Sequence, residues 1–144
     1  MGAVHSTSHA LGFACHIHHG TAIARMAVPV TQYNETLLKS PTQNQPELQE
    51  QTNRSIQKMQ NLHSLFEKEG FVGENRNALS SSIQKFLNSV NLVSGIRDLV
   101  ETQDNKKEFL QNLSLIASQD SCQTNLVKLN LEDYKSIFNH ASTL

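Results

Sequence analysis

The stretch LSSSIQKFLNSVNLVSGIRDLV, residues 79–100, contains the most regular apolar pattern in the chain. Apolar residues recur there at alternating steps of four and three positions, at Leu79, Ile83, Phe86, Val90 and Val93. This spacing places their side chains along one edge of an α-helix, as in the seam of a coiled coil. It predicts a single helix over about residues 75–101, roughly 40 Å long at a rise of 1.5 Å per residue.

The apolar edge of this helix is wider than a two-stranded seam because Leu87, Leu92 and Leu99 lie beside it. Such a width suits the inside of a helical bundle. Gly95 lowers the stability of a helix by about 1 kcal/mol relative to alanine, but it allows a neighbouring helix to approach closely.

A second long helix is predicted just before this stretch. Pro46 suits the first helical position, and Gly70 favours the left-handed conformation that ends many helices, with Phe71 folding back onto the last turn. Between them, apolar residues recur at three- and four-residue spacing: Ile56, Met59, Leu62, Leu65 and Phe66. The two long helices are expected to form an antiparallel hairpin.

Shorter helices are predicted to cover the remaining apolar side of the hairpin. Asp104 is a candidate N-cap for one helix, and Asn130 followed by Asp133 is a variant capping signal for the last one. Strand signals are weak, and around residues 26–33 Pro29 argues against a central strand. The fold class we predict is all-α, a small helical bundle built on a long antiparallel helical hairpin.

The N-terminal part of the chain has a different composition. Its first 34 residues contain no acidic residue and hold five of the seven histidines, and residues 40–46 are polar with two prolines. We therefore predict a His-rich, acid-poor N-terminal segment and linker at residues 1–45, flexible or ordered by a partner, and a helical bundle at residues 46–144.

The N-terminal segment also contains closely spaced imidazole and thiol groups, which Zn, Cu or Ni accept as ligands. The candidate metal ligands are His5, His9, Cys15, His16, His18 and His19. Their spacing is irregular and matches no recognised zinc module. The alternative interpretation is a flexible leader that is His-rich without binding metal.

The first residues, Met-Gly-Ala-Val-His-Ser, fit the pattern for N-myristoylation at Gly2. Membrane contact is expected only if Gly2 is acylated, and one acyl chain needs a second signal such as palmitoylation of Cys15. The sequence has neither an apolar run of membrane-spanning length nor a secretory signal. These features predict a cytoplasmic protein, or one exported without a classical signal peptide.

Composition and motifs argue against several function classes. A net charge of -1 and a pI near 6.6 provide no excess positive charge for nucleic acid. The sequence has no Gly-rich phosphate loop, no GxSxG elbow and no HExxH motif, and Cys122 is expected to pack as a small apolar residue. We therefore predict no catalytic residues, no cofactor and no enzyme activity.

The remaining feature is the apolar helix surface. Only 17% of the residues are charged, and uncharged polar faces suit close protein contact. We predict a non-enzymatic protein that self-associates or docks a partner helix through Leu79, Ile83, Phe86, Val90 and Val93. The alternatives are a metal-binding protein that uses the N-terminal His/Cys cluster, and a lipid-anchored adaptor or secreted effector.

Overall fold

The computed structural model describes residues 2–39, 46–120 and 128–144, and in these ranges the regular structure is helical with no strand. The all-α fold class is confirmed. The helices are α1 (Gly2–Cys15), α2 (His19–Lys39), α3 (Pro46–Lys68), α4 (Leu79–Ser89), α5 (Arg97–Glu101), α6 (Lys106–Gln119) and α7 (Leu131–Ala141).

The main core joins the first two helices to the last two. Leu11 of α1, Met26 of α2, Leu113 of α6 and Phe138 of α7 are fully buried in one cluster. Burial of a large apolar side chain stabilises a fold by about 1.5–3 kcal/mol, so these contacts hold the four helices together.

Residues 2–39 differ from the separate, flexible segment that we expected at residues 1–45. They form α1 and α2, which share the main core with α6 and α7. Pro29 lies inside α2 and is buried there. Of the predicted linker, residues 40–45 lie outside the described residues, and Pro46 begins α3.

The prediction of one continuous helix over residues 75–101 is wrong. The chain leaves helical geometry after α4 and turns twice through the left-handed region, at Asn91 (φ 56°) and Gly95 (φ 80°). The backbone N–H groups of Gly95 and Ile96 then donate to the carbonyl oxygens of Arg25 and Ala141, each at 2.8 Å. These bonds to α2 and α7 replace the hydrogen bonds that a continuous helix makes.

The break also divides the apolar edge that we predicted as a partner-binding surface. Leu79 is buried at the start of α4, and Ile83 packs beside a small second cluster formed by Ala24, Val28 and Leu87. Phe86, Val90 and Val93 remain exposed, and Val93 lies beyond the end of α4. The five residues therefore do not form one continuous helical edge.

The predicted end of α3 is confirmed. The N–H of Phe71 donates to the carbonyl oxygen of Phe66 at 2.8 Å, and the N–H of Gly70 (φ 83°) donates to that of Glu67 at 3.0 Å. These are the two bonds of a Schellman motif. The rings of Phe66 and Phe71 lie 6.4 Å apart and supply its apolar contact.

The capping signals near the C-terminus are confirmed for α7 and shifted by one residue for α6. Asn130 and Asp133 form a reciprocal capping box at the start of α7. At the start of α6 the N-cap is Asn105, whose side chain accepts from the N–H of Glu108, in place of the predicted Asp104. Asn and Asp are nearly equal as N-caps, so their adjacent positions are hard to distinguish in the sequence.

Arg25 connects α2 to the segment that follows the break. Its guanidinium donates to both carboxylate oxygens of Asp98, at 2.7 and 2.8 Å, and to the carbonyl oxygen of Gly95 at 3.1 Å. This bidentate geometry is specific to arginine. The hydrogen bond from Arg25 holds the pKa of Asp98 below its usual value.

Substitution of Gly95 by alanine is expected to destabilise the fold more than the same change at Gly70. Both glycines have positive φ, which costs a residue with a Cβ about 1–2 kcal/mol. A Cβ at Gly95 also lies 2.6 Å from the Cβ of Leu144, whereas one at Gly70 meets nothing within 4 Å. The crowding adds about 1–3 kcal/mol to the loss for Gly95→Ala, measured as the free energy of unfolding in urea. Equal losses for the two variants contradict this account.

Asp98→Asn is expected to lower the free energy of unfolding at pH 7. Because the folded-state pKa of Asp98 is lowered, its stabilisation is present above the unfolded pKa, about 3.9, and is lost as pH falls through the folded value. Asp98 is 59% exposed, and solvent screening limits the effect to about 1 kcal/mol. Urea titrations of both proteins at pH 7 and pH 2.5 should show the difference shrinking in acid; a constant difference contradicts the assignment.

Candidate metal centre

Three histidines converge where α1 and α2 meet. His5 and His9 lie one turn apart on α1, and His19 is the first residue of α2. The connection between the helices comprises only residues 16–18, with His16 in the left-handed region (φ 53°). Because α1 and α2 pack against each other, this short reversal brings His19 to the helical face that carries His5 and His9.

The three rings are close enough to share one ion. The ring centroids of His5 and His9 lie 3.9 Å apart, those of His9 and His19 5.1 Å, and those of His5 and His19 5.4 Å. One ring nitrogen from each residue lies within 4.8 Å of those from the other two. Two ligands bound to one metal at 2.0–2.1 Å lie closer together than this distance, so the rings would have to rotate toward one another to bind the same ion.

One ring nitrogen of His5 indicates why this cluster suits a ligand. Its Nδ1 is buried and has no hydrogen-bond partner among the described residues. An unsatisfied buried polar atom costs about 1–3 kcal/mol, and coordination of an ion by this nitrogen would offset such a cost. The chemistry of the set also fits, because neutral imidazole accepts Fe, Zn, Cu and Ni.

A carboxylate from a distant part of the chain contacts this cluster. The Nδ1 of His9 and Oδ2 of Asp120 lie 3.1 Å apart, within hydrogen-bond distance. Asp120 is the C-cap residue of α6, which packs against α1. The sequence contains no signal for this contact, because the two residues are 111 positions apart.

The other predicted ligands lie outside the cluster. His16 and His18 are exposed in the connection, and the Nδ1 of His18 accepts from the backbone N–H of Gly20 at 3.2 Å. Cys15 is half-buried against the main core, and burial raises the pKa of its thiol, which disfavours the thiolate that binds metals. The structure thus brings together three of the six predicted ligands.

The remaining predicted sites have no comparable arrangement. Gly2, the candidate acylation site, is buried as the first residue of α1. Cys122 lies outside the described residues. Among the described helices, none combines the length and apolar character that crossing a membrane requires.

A second concavity lies far from the histidines. It has a volume of about 190 Å³ and is lined by residues of α2, α3 and α4, including Glu35, Met59 and His63. Glu35 and His19 are 16 residues apart along α2, which at 1.5 Å per residue is about 24 Å. The metal-ligand cluster and this cavity are therefore separate features.

The comparisons with known proteins identify the family. Residues 1–142 match the family model described as "Fe-containing alcohol dehydrogenase family, C-terminal". No curated protein matches the chain. Because the family model covers nearly the whole chain, the chain belongs to this family.

This match overturns our functional interpretation. The prediction of a non-enzymatic interaction or assembly protein is wrong, because the family is one of enzymes. The family match also removes the support for our predictions of a coiled coil, an oligomer, a secreted effector and a lipid-anchored adaptor. The apolar pattern at residues 79–100 misled the interpretation, because part of it is buried within the fold.

Proposed function

We propose that the chain provides the metal-binding part of an iron-dependent alcohol dehydrogenase, with His5, His9 and His19 as ligands. One observation carries the proposal: a ring nitrogen of each histidine lies within 4.8 Å of the other two. The description of the family as iron-containing supports iron as the metal. Imidazole is a suitable ligand for this ion.

Three protein ligands suit a catalytic site better than a closed structural one. Structural sites commonly use four protein ligands, whereas catalytic sites keep at least one position open for water or substrate. His9 and His19 are exposed, so the site faces solvent on one side. We propose that an alcohol oxygen reaches the site from this side.

A divalent metal held by these histidines would supply a Lewis acid that polarises an alcohol or carbonyl oxygen. The role of this chain's residues is to hold that metal in place. His5 is fixed by its position within α1, whereas His19 depends on the packing of α2 against α1.

Oxidation of an alcohol also needs an acceptor for the hydride that leaves the carbon atom, commonly a nicotinamide. The sequence contains no Gly-rich phosphate loop. We therefore assign the acceptor to no residue of this chain and restrict the proposal to binding the metal and the substrate oxygen.

Substitution of His5, His9 or His19 by alanine is expected to lower metal affinity by about 100-fold or more, since loss of a second-shell partner alone costs 10–100-fold. Co²⁺ is a suitable probe because its visible spectrum reports coordination, and anaerobic Fe²⁺ titration provides the comparison. The matched controls are His16→Ala and His18→Ala, which remove exposed imidazoles from the same connection. These controls should bind Co²⁺ as the unmodified chain does.

Two outcomes contradict the proposal. One is an unmodified chain that binds neither Co²⁺ nor Fe²⁺ at micromolar concentration. The other is equal loss of affinity in the cluster variants and in the controls. The substrate part has its own readout, because a short primary alcohol should change the Co²⁺ spectrum of the unmodified chain. A spectrum that does not respond to alcohol contradicts that part alone.

A further inference from the structure

We propose that the cavity between α2, α3 and α4 binds a small neutral molecule with an apolar ring and one hydroxyl group, such as a phenol or a cyclic alcohol. The three helices form its wall, and α4 packs against both α2 and α3. The cavity and the histidine cluster are separate features with no residue in common. This inference therefore does not depend on the function proposed above.

The volume and the wall of the cavity determine the size and character of its ligand. The cavity measures about 190 Å³, and an apolar cavity of about 150 Å³ holds a benzene molecule. Apolar side chains from all three helices line it: Leu38, Ile56, Met59 and Leu79. Leu79 is buried and the other three are partly buried, so a ring held there loses contact with water. The body of the ligand is therefore apolar and about the size of one six-membered ring.

One polar group of the wall has no partner. The Nε2 atom of His63 is buried and makes no hydrogen bond with any described residue. An unsatisfied buried nitrogen destabilises the empty state, and a molecule held in the cavity is a neighbour of this ring. A hydroxyl group both donates and accepts, so it satisfies a neutral imidazole in either tautomer. Carbonyl and ether oxygens only accept, which makes a hydroxyl the better match.

The charged residues of the lining favour a neutral ligand. Oε1 of Glu35 accepts from the N–H of Ser80 at 3.1 Å, and Oε2 accepts from the Oγ of Ser80 at 2.7 Å. These bonds hold a carboxylate at the cavity, where it repels anions. Lys39 also lines the cavity but is exposed, so an ion pair with it contributes little. A cationic ligand would lose its hydration against the apolar wall.

The test measures binding of 4-fluorophenol to the full, metal-free chain by ¹⁹F NMR. Fluorobenzene lacks the hydroxyl group, and 4-fluorobenzoate carries a negative charge. Metal-free protein prevents the phenol oxygen from binding an ion at the histidine cluster. We expect 4-fluorophenol to bind with a Kd of about 1 mM or below. Fluorobenzene should bind about 3–10-fold more weakly because it makes no hydrogen bond, and 4-fluorobenzoate should be the weakest of the three.

Substitutions locate the bound molecule. Met59→Trp fills the cavity and should abolish binding of 4-fluorophenol. Its matched control is Lys58→Trp, which places the same side chain at an exposed position of α3 and should leave binding unchanged. His63→Leu removes the hydrogen-bonding ring, so it should weaken 4-fluorophenol about 3–10-fold and change fluorobenzene affinity by less than about twofold.

Failure of any of these expectations has a definite meaning. The proposal is overturned if the chain binds no 4-fluorophenol, or if binding persists in a folded Met59→Trp variant. Fluorobenzene or 4-fluorobenzoate that binds at least as tightly overturns the choice of a neutral hydroxyl compound. Circular dichroism checks the folding of each variant. If Met59→Trp does not fold, nuclear Overhauser effects between the bound ring and the methyl group of Met59 in the unmodified chain decide the location, and their absence overturns it.

Discussion

The burial of α1 between α2 and α6 is the constraint on which the candidate metal centre depends. Ala3, Ala10 and Leu11 of α1 have no exposed surface, and α1 contacts both neighbouring helices. Small side chains let helix backbones approach closely. Without this packing, His5 and His9 have no fixed relation to His19 on one side or to Asp120 on the other.

Two buried hydroxyl groups of α1 form hydrogen bonds within the helix itself. The Oγ1 of Thr7 donates to the carbonyl oxygen of Ala3 at 2.7 Å, and the Oγ of Ser8 donates to that of Val4. Hydroxyls that bond back to their own helix satisfy their hydrogen-bonding need without a partner from another element. A helix of this kind can be packed on several sides although its sequence contains few large apolar residues.

This property also explains which helices could be predicted from the sequence. The end of α3 and the capping box of α7 depend on local signals, so Gly70 and Asn130 were sufficient to predict them. In α1 most of the buried residues are alanine, serine and threonine, which give no clear apolar period. The break before α5 depends on backbone bonds from Gly95 and Ile96 to other helices, and no local pattern reports such bonds. At the site, residue type identified His5, His9 and His19 among six candidate ligands, but which three of the six converge depends on tertiary packing, as does the contact between His9 and Asp120.

The three clustered histidines belong to two different helices. The site is therefore linked to the stability of the whole domain. An ion held by His5, His9 and His19 binds only when α1 and α2 are docked, so its binding energy adds to the folding energy of the pair. At 100 times its dissociation constant, such an ion stabilises the native state by about 2.7 kcal/mol. An ion at the proposed site would therefore stabilise the folded chain as well as complete the candidate metal centre.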